Sequence, residues 1–211
     1  MSIIRVYLFD IDGTLLDAQG VGSAAFRQAA RQILGCELDW RGRDFAGQTD
    51  AGLFHRALAE AERLHDDAAA ENLRVFYHDL LAKNLSQQPA TLLPGVENLL
   101  TTLGAEVGSR VGLLTGNTRR GSELKLGGLF AGFSLGFYGD TFTERTMLGK
   151  AAREQLNRDF GEVHITVIGD TPNDIACARA AGADCVAVAT GHFSGAELSA
   201  ADRVLADLTQ W

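Results

Sequence analysis

Apolar residues crowd into short runs separated by polar and glycine-containing stretches. The first run, IIRVYLFDID over residues 3–12, is rich in β-branched and aromatic side chains and apolar almost throughout, the pattern of a strand covered on both faces. Similar runs recur at 110–116, 133–139, 164–170 and 184–191, each ending in small or acidic residues. Between them lie helical patterns. Residues 94–104 open on Pro94 and close on Gly104, the punctuation of a short helix. Residues 146–160 carry an apolar face of Leu148, Ala151, Ala152 and Leu156, and a further helix is predicted over 173–181. Strands alternating with helices predict an α/β fold, a Rossmann-like, mostly parallel sheet with helices on both faces. Ligands in such folds bind beyond the carboxyl ends of the strands, where Asp10, Thr115 and Asp170 fall.

One region breaks the alternation. From 23 to 85 no strand is predicted but three helices are, over 23–34, 50–64 and 68–85, the last with Leu73, Phe76, Tyr77, Leu80 and Leu81 on one stripe. Two glycines mark its entry at 17–23 and two prolines its exit at 87–95, so both stretches read as linkers. The expected division is a catalytic core of 1–16 and 93–211 with an inserted α-helical cap of 17–92.

Composition narrows the field. The 211 residues are 46% hydrophobic and 22% charged, as expected of a globular chain able to bury a substantial core. A net charge of −8 repels polyanions, which argues against nucleic acid as a partner. Cys36, Cys177 and Cys185 form no CxxC pair and suit buried thiols in a reducing compartment. Residues 3–9 are too short and wrongly flanked for a signal peptide or a membrane span. The expectation is a cytoplasmic protein without a membrane partner; its oligomeric state is left open.

Three segments carry candidate chemistry. In Asp10-Ile11-Asp12-Gly13-Thr14, residues two apart on an extended chain share a face, so both carboxylates can converge beyond the strand, and Gly13 lets the chain turn. Such a pair can hold a hard cation, act as nucleophile and acid/base, or only begin a turn. In Thr115-Gly116-Asn117, a hydroxyl followed by backbone N–H groups at a strand-to-helix turn forms an anion cradle or a plain turn. In Gly169-Asp170-Thr171-Pro172-Asn173-Asp174, Pro172 is placed to begin a helix, and carboxylates four apart can line its first turn or complement its dipole.

In this order, each at a strand end, these segments resemble the haloacid dehalogenase superfamily, and the resemblance spans nearly the whole chain. The insert corresponds to the helical cap of the subgroup containing phosphoglycolate phosphatase and β-phosphoglucomutase. The resemblance implies that Asp10 attacks phosphorus and becomes an aspartyl phosphate. It implies that Asp12 protonates the leaving alkoxide and then deprotonates the hydrolytic water. Mg²⁺ would be held by Asp10, the Asp12 backbone carbonyl and Asp170, with Asp174 behind them. An acid at Asp12 favours phosphate esters over haloacids, because a departing halide needs no proton. The family's third motif supplies a lysine; here that stretch reads Glu144 to Lys150, and Arg145 is favoured over Lys150 as the cation facing the phosphate. Thr115 joins the catalytic set, and Gly116, Asn117 and Lys150 the groups contacting substrate.

The cap segment Gly47-Gln48-Thr49-Asp50 is similar to that of phosphoglycolate phosphatase-like proteins, and Arg41, Arg43, Gln48 and His55 are candidates for a substrate's distal end, or plain surface residues. His192, Arg119 and Arg120 read as loop or helix-surface groups that could adjoin the site. The expected activity is Mg²⁺-dependent hydrolysis of a small phosphorylated metabolite, phosphoglycolate first. A β-phosphoglucomutase-like phosphomutase and a noncatalytic regulatory module are the competing readings. A receiver domain lacks the DxDGT form and the insert, and no GxxxxGK[ST] loop is present.

Overall fold

The computed structural model describes residues 3–211. Six strands form one all-parallel sheet: β1 (Ile4–Phe9), β4 (Ser109–Leu114), β5 (Leu135–Phe137), β6 (Val163–Gly169), β7 (Asp184–Val188) and β8 (Arg203–Leu205). Their order is β5-β4-β1-β6-β7-β8. The run at 133–139 contracts to the three residues of β5, and β8 is a strand that the apolar pattern did not reveal. The chain leaves β1 to one side and returns to the other, which makes the carboxyl end of β1 the switch point of the sheet. Phe9 pairs with Leu113 on one flank and Ile168 on the other, so the residues just beyond these three strands become neighbours.

Alternation along β1 feeds two apolar layers. Val6 and Leu8 face one core, completed by Leu148, Ala152 and Leu156 of α7 (Arg145–Phe160) and Ile175 and Ala178 of α8 (Pro172–Ala180). Phe9 and Ile11 face the other, with Val96, Leu99 and Leu103 of α5 (Val96–Ala105) and Leu126 of α6 (Arg119–Leu126). Coverage on both faces explains why the strands read as continuous apolar runs.

The insert contains α1 (Val21–Leu34), α2 (Gly42–Phe45), α3 (Asp50–Glu60) and α4 (Asp67–Gln87). It has a core of its own, centred on Phe26, whose ring packs against Trp40, Phe45, Phe54 and Tyr77 at centroid distances of 5.4–5.7 Å. The stretches expected as linkers are partly ordered as a ribbon, β2 (Leu16–Asp17) antiparallel to β3 (Thr91–Leu92).

The start of α3 is docked onto the sheet by backbone bonds, Asp50 N to Gly116 O at 2.7 Å and Ala51 N to Gly139 O at 2.9 Å. The Asp50 carboxylate accepts from Thr118 N at 2.7 Å, and His78 Nε2 lies 2.8 Å from Thr118 Oγ1. Gly116 is required at this seam, because a Cβ there would overlap the Gln48 carbonyl. Burial pushes the Asp50 carboxyl up to about 6 despite the opposing pull of Lys125 and the Thr118 N–H. A folded state that holds this proton more tightly than the unfolded chain loses stability as pH rises toward 6. Between about pH 4 and about pH 7, the wild type should therefore lose stability relative to Asp50→Asn. Some two pKa units at ~1.4 kcal/mol each set a ceiling of about 3 kcal/mol, to be read from urea unfolding of both proteins across that range.

Candidate active site

The carboxyl ends of β1, β4 and β6 deliver Asp10, Thr115 and Asp170 to one place, with Asp174 one helical turn beyond Asp170. Asp10, Asp170 and Asp174 are all buried, and each offers a carboxylate oxygen within 4.8 Å of the others. Gly13, with φ of 77°, turns the chain immediately after Asp12, and a Cβ there would overlap the Asp170 carboxylate. Thr14 Oγ1 reaches Asp170 Oδ1 at 3.4 Å.

Arg145, the first residue of α7, enters this acidic group from the side. Its guanidinium bonds Asp174 Oδ1, donates to the Leu114 carbonyl at 3.2 Å and lies 3.1 Å from Asp10 Oδ1. Burial alone works against its charge, but the Asp10 and Asp174 carboxylates reverse that and raise its pKa above the ordinary value. Asp170 moves up as well, through burial first and then repulsion from Asp174 and Asp10. Asp174 is occupied on both sides: Oδ1 takes Arg145, while Oδ2 accepts from Thr171 N at 3.0 Å and Thr171 Oγ1 at 2.7 Å in the capping box of α8.

Asp10 Oδ1 is buried with the Arg145 guanidinium, at 3.1 Å, as its charged neighbour, and Arg145 Nε is buried without a hydrogen-bond partner. Buried donors without a partner are costly, and buried carboxylates so close together leave negative charge that one guanidinium does not balance. Oxygen donors at such spacing suit a hard divalent cation, which would also relieve the repulsion that raises Asp170. Asp10 and Asp170 are the side chains fitted to hold it.

The Asp12 side chain turns elsewhere. Its Oδ2 accepts from Asn117 Nδ2 at 2.8 Å and from Lys125 Nζ at 2.6 Å. Asn117 Nδ2 also donates to Thr115 Oγ1 at 3.0 Å, so Thr115 and Asn117 work as a strut beneath Asp12 as well as a turn. The sequence reading missed Lys125. It lies on α6, the helix that follows the Thr115 turn, ten residues beyond Thr115 and in no motif.

A cavity of about 300 Å³ is roofed by the insert, with Phe26, Phe45, Leu53, Tyr77 and Gln48 opposite Asp10, Asp12, Lys125 and Arg145; Thr115 and Asp174 lie buried behind its lining. Lys150 requires correction. It is exposed on α7 and does not line the cavity, since five residues at 100° each turn it about 140° away from Arg145. Of the residues considered for a distal contact, Gln48 reaches the cavity, and His192, expected as a loop residue that could adjoin the site, lines it too. Arg41 and His55 are exposed elsewhere, and Arg43 pairs with Glu197 at 2.8 Å. Arg119 and Arg120 point outward toward Glu123.

The sequence profile of the haloacid dehalogenase-like hydrolases matches residues 4–182. The chain belongs to that family, and it is accordingly a hydrolase by descent. A phosphoglycolate phosphatase from Yersinia pseudotuberculosis is 30% identical over 206 residues, spanning 91% of this chain and 84% of its own. Among solved structures, a predicted phosphoglycolate phosphatase from Haemophilus somnus superposes with a TM-score of 0.74 at 21% identity, covering 100% of this chain and 97% of the other. A β-phosphoglucomutase from Clostridium difficile gives 0.73 at 19%, covering 99% and 93%. At these identities the structures share the fold. No helix among the described residues is long and apolar enough to cross a membrane.

Removing Arg145 leaves buried carboxylates uncompensated, so Arg145→Ala should destabilise the fold by about 3–5 kcal/mol. Lys150→Ala should change stability by less than about 0.5 kcal/mol. Urea unfolding of the two variants beside the wild type checks both values.

Proposed function

We propose that this protein is a Mg²⁺-dependent phosphatase that hydrolyses a small phosphate monoester through an aspartyl phosphate on Asp10. The observation that carries the reading is the buried group of Asp10, Asp170 and Asp174 carboxylates within 4.8 Å of one another, with Arg145 3.1 Å from Asp10 Oδ1, beside the cavity. Phosphoryl transfer asks mainly for positioning and for neutralisation of charge on the transferring oxygens. Arg145 supplies one fixed positive charge beside the nucleophile, held by Asp174 so that it cannot swing away. A divalent cation between Asp10 and Asp170 would supply the rest of the neutralisation.

A carboxylate oxygen of Asp10 attacks phosphorus as the bond to the ester oxygen breaks. The electron pair leaves on the alkoxide, and the Asp12 carboxyl supplies its proton. Asp12, now a carboxylate, takes a proton from the water that attacks the aspartyl phosphate, which releases inorganic phosphate and restores Asp10. The 41% exposure of the Asp12 side chain suits this work, because both the leaving group and the water must reach it, whereas Asp10 is enclosed. Similarity to curated phosphoglycolate phosphatases across most of both chains makes 2-phosphoglycolate the first substrate to test. A cytoplasmic location accords with three unpaired cysteines, two of them buried.

Release of inorganic phosphate from a panel of small organophosphates, with Mg²⁺ and with excess chelator, is the direct test. Turnover should require Mg²⁺; conversion of one sugar phosphate into its isomer without phosphate release would favour a mutase. Asp10→Asn should form no acid-stable phosphoenzyme and lose turnover beyond detection. Asp12→Asn should slow turnover by about 10²–10⁴-fold while still accumulating phosphoenzyme from an activated ester. Equal phosphoenzyme in both variants would refute the roles.

A further inference from the structure

We infer that Lys125 is the positioning residue of the proton donor: it clamps one oxygen of Asp12 so that the other faces the scissile ester. The inference rests on the reading of Asp12 as general acid. Lys125 lies in the last turn of α6, and helical side chains slope toward the helix N-terminus. Its stem therefore runs back along α6 toward the turn that carries Asn117. The ammonium ends 2.6 Å from Asp12 Oδ2 and 2.6 Å from Asn117 Oδ1, with the side chain 5% exposed. From the insert, Gly22 closes over it: a Cβ there would stand 3.3 Å from Nζ, so any larger residue would press on the ammonium.

Three groups thus form a closed ring of hydrogen bonds, Lys125 to Asp12, Lys125 to Asn117 and Asn117 to Asp12. Both bonds received by Asp12 fall on Oδ2. An oxygen that only accepts can keep those bonds whether or not its twin carries a proton, so Oδ1 is free to release the proton and recover it while the carboxyl stays fixed. Holding a catalytic group in its reacting geometry accounts for much of its effect, and a displacement near 1 Å can cost about a hundredfold in rate.

The consequence is selective for the leaving group. p-Nitrophenolate departs without a proton, whereas the alkoxide of 2-glycerol phosphate needs one. In Lys125→Met, kcat for 2-glycerol phosphate should fall about a hundredfold, and for p-nitrophenyl phosphate less than about tenfold, with KM little changed. Asn117→Ala, which opens the ring from another side, should skew selectivity the same way. Adding Lys125→Met to Asp12→Asn should cost little beyond Asp12→Asn alone, because coupled groups do not add. Lys125→Arg should recover part of the loss. Unfolding midpoints separate these effects from failure to fold, and a misfolded fraction would lower turnover of both esters alike.

Equal losses on the two esters in both ring variants would overturn the inference. So would a KM increase confined to 2-phosphoglycolate, which would make Lys125 an anchor for the substrate's carboxylate. If Asp12→Asn itself shows no preference between the esters, the general-acid reading falls and takes this one with it. If Asp12→Asn discriminates and neither ring variant does, only the role of Lys125 falls.

Discussion

Negative charge packed into a place with little water is the constraint on which the rest of this structure depends. Asp10, Asp170 and Asp174 are buried within reach of one another, and carboxylates so placed repel strongly when the surroundings screen them poorly. Arg145 meets part of this cost from the start of α7, and its own burial is tolerable only because two carboxylates face it. What stays unmet, the repulsion among the carboxylates and the Nε donor of Arg145, is concentrated beside the cavity. The site holds unsatisfied interactions in reserve, fixed in position before a charged substrate arrives.

The insert serves this arrangement in two ways. Its own aromatic core makes it a rigid roof, and the docking of Asp50 and Ala51 onto Gly116 and Gly139 ties that roof to the turn carrying Thr115 and Asn117. Asp50 also brings a further buried carboxyl to Thr118, directly before α6. Cap and sheet therefore share the segment from 115 to 125, and the geometry around Asp12 depends on both.

The two halves of the site differ in polarity and in access. Asp10 lies enclosed beside Arg145 and Asp170, where charge can be neutralised away from bulk water. Asp12, on the same short segment, turns to the more open side and to Lys125. Side chains two apart on an extended strand begin on one face, but β1 ends at Phe9, and the bend at Gly13 sends the second carboxylate to other partners. The convergence suggested by strand geometry holds for the backbone and is modified at the side chains.

Local pattern was enough to place most of the fold. Continuous apolar runs marked β1, β4, β6 and β7 because a sheet covered on both faces needs apolar residues at every position, and strand ends located Asp10, Thr115 and Asp170. The pattern failed where stabilisation is not local: β8 is short and largely exposed, and α6, announced only by the turn at 115–117, is polar on most of its surface. Arg145 could be preferred over Lys150 from its position at a helix entry, since five residues of helix separate the directions of the two side chains. Lys125 could not be found that way. It stands 113 residues from Asp12 along the chain, and the two meet only because parallel pairing of β1 with β4 brings the helix after β4 above the turn after β1. The sequence by itself determined most of the strands and the acids at their ends, because burial and turning are decided by neighbours in the chain. The tertiary structure alone decided the order of the strands in the sheet and the pairing of Lys125 with Asp12, because such contacts answer to distance in space.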